Sequence, residues 1–186
     1  NQNYPPRKKI LCCLLMTIAA TAYTNAQTDK GDWMVGGSLY FTTSKPTSSF
    51  SFNPNIGHFF AKNLAGGAEM VIAFNKTGDL KGRILGVGPF LRYYFELKEP
   101  QFKPFVHTAI SINSSWAKQT GSEAENETAI GFILGLGGAY FINDNVAIDG
   151  LAGYNYSKVE NTDGMGGFIF RIGFQIHLLG SEVRNR

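Results

Sequence analysis

The stretch from Gly166 to Leu178 reads Gly-Gly-Phe-Ile-Phe-Arg-Ile-Gly-Phe-Gln-Ile-His-Leu. From Phe168 every second residue is large and apolar (Phe170, Ile172, Phe174, Ile176, Leu178). Apart from Ile169, the positions between are small or polar (Gly167, Arg171, Gly173, Gln175, His177). A period of two marks a strand with one apolar face. The polar face of a soluble sandwich strand would carry charges and few glycines. Here small and polar residues suit a cramped interior, which turns the apolar face outward, toward lipid.

The first residues set a boundary for that reading. Arg7, Lys8 and Lys9 precede an apolar run from Ile10 to Ala22, followed by small residues up to Ala26. This is the pattern of a secretory signal peptide, and the run is shorter than the ~20 residues a spanning helix needs. Cleavage is expected after Ala26, with Ala22 the alternative. Residues 1–26 then form the leader, 27–178 the folded domain and 179–186 a short tail. Removing the leader leaves 186 − 26 = 160 residues, about one domain. Lys+Arg falls from 17 to 14 and equals the 14 Asp+Glu. The basic balance belongs to the leader, so no nucleic-acid partner is implied. Cys12 and Cys13 also lie in the leader, so the mature chain has no thiol for a disulfide, metal or nucleophile.

Alternating segments fill the rest: Trp33 to Thr43, Phe50 to Phe60, Leu64 to Asn75, Arg83 to Leu97, Phe105 to Trp116, Thr128 to Ile142, Val146 to Ser157, and the last stretch. Eight segments of this length each suffice to cross a bilayer as tilted strands. In hydrocarbon every backbone group must be paired, so the sheet must close. The expected fold is all-β, an eight-stranded antiparallel up-and-down transmembrane β-barrel whose interior is filled by side chains. Pro89 lacks an N–H and belongs at a bulge or irregularity. Three short connections (Ala61 to Asn63, Lys98 to Lys103, Asn143 to Asn145) and both termini are assigned to the periplasm. Four others are assigned outside: Ser44 to Ser49, Lys76 to Gly82, Ala117 to Glu127 and Lys158 to Gly164. Aromatics at both rims suggest two interfacial girdles.

The hairpin from Pro54 to Gly67 (Pro-Asn-Ile-Gly-His-Phe-Phe-Ala-Lys-Asn-Leu-Ala-Gly-Gly) and the strand from Gly88 to Phe95 (Gly-Pro-Phe-Leu-Arg-Tyr-Tyr-Phe) carry a resemblance. With the leader, they resemble the Gram-negative outer-membrane β-barrel domain family, porin-like and related in architecture to the small OmpA and OmpX barrels. The resemblance implies an outer-membrane location and this architecture, without an assigned ligand. The last strand is also similar to the C-terminal assembly signal that such barrels present to their insertion machinery, with Arg171, Gly173, Ile176 and Leu178 in the signal's places. That similarity implies the barrel-assembly machinery as a partner during insertion.

No catalytic, cofactor-binding or metal-binding residues are assigned. His107 is the one candidate for an activated nucleophile pair, but Ala109 stands at the next position on its face and Ser111 only beyond it. His58, His107 and His177 fall on strands too far apart for a shared metal. What remains inside the strands is a lumen charge cluster of Glu69, Arg92, Asp149 and Arg171. Charges in a narrow interior need opposite partners. Glu69 is expected to pair with Arg92 and Asp149 with Arg171, supported by Gln175, Asn155, Tyr94 and Glu96. Function then falls in one of two classes. One is a non-enzymatic structural or surface-interaction barrel contacting outer-membrane lipid, lipopolysaccharide or an extracellular partner. The other is a transport barrel for a small solute or hydrophobic ligand.

Overall fold

The computed structural model describes residues 28–44, 46–118, 125–159 and 162–180; the leader and most of the tail lie outside the described residues. Eight antiparallel strands follow one another round a closed barrel: β1 (Trp33–Ser44), β2 (Thr47–Ala61), β3 (Leu64–Thr77), β4 (Leu80–Tyr94), β5 (Phe102–Lys118), β6 (Glu125–Phe141), β7 (Val146–Val159) and β8 (Met165–Leu178). The shortest strand has 12 residues. At about 3.3 Å per residue it reaches about 40 Å, or about 28 Å along the membrane normal when tilted by about 45°, enough to cover the apolar band of about 25 Å that such barrels present to lipid.

Alternation sorts the side chains as the pleat requires. Leu39, Ile56, Leu85, Ile110, Leu134, Ile148 and Ile172 are exposed on the outside, in an apolar band of the kind lipid covers. Exposed aromatics bracket it, with Trp33, Phe60, Phe95, Phe102 and Tyr140 at the end holding the termini and Phe41, Phe50, Phe74, Trp116 and Tyr156 at the other.

Strands at the end away from the termini run further than the composition suggests. The segments expected as loops at Ser44 to Ser49 and Lys76 to Gly82 continue the ladder, with Ser44 paired to Thr47 and Thr77 to Leu80. Polar residues there still complete backbone hydrogen bonds, and only a tight turn remains. Gly78, at φ 59°, supplies the left-handed conformation the β3–β4 turn needs. At the other end β4 stops at Tyr94, short of the expected Leu97. The connections at the two ends are therefore of similar length, and turn length does not distinguish them.

Among the described residues the one register shift falls between Phe59 and Ala61, where β2 carries an extra residue beside its turn. Pro89 makes no bulge. It pairs with Ala68 on β3, while the β4–β5 ladder is interrupted at Gly88 and Pro89 and resumes in the same register. The closing seam is the shortest ladder. Among the described residues, β1 and β8 pair only from Trp33↔Leu178 to Leu39↔Ile172, whereas β1 and β2 pair along all of β1. Residues 40–44 of β1 and 165–171 of β8 remain strands on their other sides but do not meet.

Candidate functional site

The interior has two halves. On β7, the inward residues Ala147, Asp149 and Leu151 are buried, whereas Gly153, Asn155 and Ser157 are half-buried; β2 and β5 repeat the pattern. The lumen is thus a cup lined near its open end by small polar residues, among them Ser49, Ser51, Ser111, Asn113 and Asn155. Its other end is sealed. Met34, Phe59, Tyr94, Phe105 and Phe141 pack as a buried cluster, with the buried His177 ring 5.1 Å from Phe141 and 5.7 Å from Phe59. Below it the N-terminal segment is tied down. Asn63 N–H donates to the Thr28 carbonyl at 2.7 Å, Lys103 Nζ to Thr28 Oγ1 at 2.6 Å, and Gly180 N–H to Asp32 Oδ1 at 3.0 Å.

Between seal and cup lie the four expected charges, with their partners exchanged. Arg92 on β4 donates from Nη1 to Asp149 Oδ2 on β7 at 2.7 Å. Arg171 on β8 donates from Nη1 to Glu69 Oε1 on β3 at 2.9 Å. Each pair joins strands three apart round the ring, not neighbours. Register sets this pairing. Glu69 faces Gly88 across β3–β4 and Arg92 faces Ala65, so the two charges are offset by four residues, about 13 Å along the strand. In an eight-stranded barrel the far wall is near enough for side chains to meet. The space needed comes from glycine: a Cβ at Gly173 would collide with Asp149 Oδ1 and with the Gly37 carbonyl.

Further hydrogen bonds complete the pairs. Tyr94 hydroxyl accepts from Arg92 Nη1 at 3.3 Å, and Gln175 Nε2 donates to Asp149 Oδ2 at 3.4 Å. The Arg92 guanidinium lies 4.4 Å from the Phe105 ring centre, a cation over an aromatic face. Asn155 is half-buried further toward the open end. Glu96 is not part of the cluster. It lies past the end of β4 and bonds Lys62 at 2.8 Å on the surface.

His107, set aside as a catalytic candidate, is the residue whose place was missed. It is buried, stacked on Phe90 at 5.4 Å. Its Nδ1 accepts from Arg92 Nε at 3.4 Å, and its Nε2 faces Glu69 Oε2 at 3.6 Å. An accepting Nδ1 leaves the proton on Nε2, so a neutral imidazole bonded to Arg92 lies between the two ion pairs, its Nε2–H just beyond hydrogen-bond reach of Glu69. Two carboxylates and two guanidiniums make the cluster neutral. Its register was the available signal, because His107 stands directly across from Arg92. His58 packs against Trp33 instead, at 4.9 Å. The assembly-signal positions divide by phase: Arg171 and Gly173 face in, Ile176 and Leu178 out.

The model of a family described as Opacity family porin protein matches residues 48–173. Among solved structures, the barrel is similar to Neisserial surface protein A, with a TM-score of 0.62 and 20% identity, covering 79% of this chain and 97% of that one. It is also similar to the N-terminal β-barrel domain of Pseudomonas aeruginosa OprF (TM-score 0.54, 11% identity, 80% and 98% covered). P. aeruginosa OprG matches at TM-score 0.54 and 12% identity, with 83% and 99% covered. At these identities the likeness is one of fold. A search of curated proteins found no match.

Proposed function

The chain belongs to the Opacity family of porin proteins and is an outer-membrane β-barrel, and from that membership we propose a non-catalytic, non-conducting barrel with a structural or surface-interaction role. Its termini are periplasmic and its polar cup opens outward. The observation that carries this reading is the sealed lumen. The Arg92 and Asp149 side chains are only 6% and 5% exposed, and the aromatic cluster lies beneath them. An ion would have to break a desolvated pair and then pass packed rings, a cost of several kcal/mol. Orientation follows from how such a barrel inserts. Entering from the periplasm after a secretory leader is removed, it need only push compact hairpin tips across the membrane, while its ends stay behind. Arg171, Gly173, Ile176 and Leu178 serve the assembly machinery in that step.

Refolded protein in a planar bilayer should give no steady single-channel current; a large steady conductance would instead establish the transport alternative. On intact cells, a cysteine at Thr162 should react with a membrane-impermeant thiol reagent and one at Asp144 should not. The reverse pattern would invert the barrel.

A further inference from the structure

At the end holding the termini, Lys62 is matched by Glu96 at 2.8 Å. At the open end, Lys76 on β3 and Lys81 on β4 stand directly opposite each other in the ladder. Both are exposed and share the outward phase of Phe74 and Leu85. Like charges directly opposed across two strands destabilise the pair. Arg83, also exposed and outward, is two residues from Lys81 and faces Phe74. Among the described residues no acid forms an ion pair with any of the three; Asp79, in the turn between the strands, does not.

The row beneath the two lysines is aromatic but for Arg83. Phe41 pairs with Phe50, Phe50 with Phe74, Phe74 with Arg83 and Arg83 with Trp116, in unbroken sequence across β1 to β5. All four rings are exposed to the outside. An aromatic row marks the level where hydrocarbon gives way to headgroups. Lys76 and Lys81 therefore sit at headgroup height and Arg83 at the level of the rings, with an apolar wall below them, and an anionic headgroup at that height would relieve the repulsion among them.

We infer that the outer wall of β3 and β4 is a docking site for a phosphate-bearing glycolipid of the outer leaflet. Its phosphates lie on Lys76, Lys81 and Arg83, and its acyl chains lie along the wall below Phe74 and Trp116. Arg83 offers a planar fork and the two lysines point charges, a combination suited to phosphate oxygens. Assigning the lipid to the outer leaflet rests on the orientation proposed above; the charge and register argument does not.

Native mass spectrometry of the folded protein in detergent tests this with three probes: a diphosphoryl lipid A-type glycolipid, the same glycolipid stripped of phosphate, and phosphatidylglycerol. Each basic residue near an anionic surface is worth about fivefold in affinity, so three give about a hundredfold. The diphosphoryl glycolipid should be retained by that factor over the stripped one. The triple variant Lys76→Gln, Lys81→Gln, Arg83→Gln should fall to the stripped level, while Lys158→Gln, an exposed lysine at the same end on β7, should not. If the triple variant does not fold, Lys81→Gln alone should lose about fivefold. Undiminished retention by a folded triple variant, or by folded Lys81→Gln, overturns the site, and equal retention of phosphatidylglycerol overturns the glycolipid assignment. Cysteine labelling at Thr162 and Asp144 reads orientation separately, so a failure of lipid binding in a correctly oriented barrel counts against this site alone.

Discussion

Arg92 is the residue on which the interior depends most. It reaches Asp149, Tyr94 and His107 from one buried guanidinium. Truncating it leaves Asp149 desolvated with only Gln175, so Arg92→Met should cost about 3–5 kcal/mol. Adding Asp149→Leu should recover most of the loss, because an apolar pair of similar volume can replace a buried ion pair. Urea unfolding in lipid vesicles measures both; a single-variant loss below about 1 kcal/mol would class the pair with surface bridges. All four lumen charges were legible from strand phase alone, since a period of two assigns each to one face. Partner choice was not. It depends on which strands face each other across the lumen, and neither sequence adjacency nor strand order carries that. His107 could have been found once Arg92 had been given its cross-strand neighbour.

Elements behave according to the face they present. Ile172 on β8 is exposed among outward neighbours, and Ile172→Arg should cost about 2–4 kcal/mol in a bilayer if it sits near midplane depth. A neutral effect in inserted protein would place that strand outside the hydrocarbon. At the β2–β3 turn, the hydrogen bond from Lys62 holds the Glu96 carboxyl below its ordinary 4.5, and the same bond with Glu96 raises the Lys62 ammonium above 10.5. The carboxylate's contribution is present above its ordinary value and is lost as pH falls through the depressed one. The ammonium's is present below 10.5 and is lost as pH rises through the raised value. Glu96→Gln should therefore lower the unfolding midpoint slightly at neutral pH and leave it unchanged in strong acid. Both groups are exposed, so about 1 M salt should erase the difference. Strand ends were the least legible part of the fold. At Ser44 to Ser49 and Lys76 to Gly82 turn-forming composition coexists with a continuing ladder, and backbone pairing is indifferent to polarity.

The whole molecule is a ring whose closure is unequal along its height. Strand number, antiparallel order and the lipid-facing band were all legible, because alternation recurs in every segment. The uneven closure was not, because it depends on how the first and last strands splay. Above Leu39 and Ile172, β1 and β8 each keep one bonded neighbour and lose the other, and Phe168, on that free margin, is 90% exposed. Backbone groups on such a margin have no partner across the gap, and local opening is easiest where fewest bonds must break together. Unravelling should therefore start at this slit and travel down the seam toward Trp33 and Leu178. In deuterium exchange of the reconstituted barrel, the peptide spanning 166–171 should label well before the one spanning 173–178, although the two are consecutive turns of one strand's pleat. The barrel thus has a built-in direction of disassembly, set by the length of a single ladder.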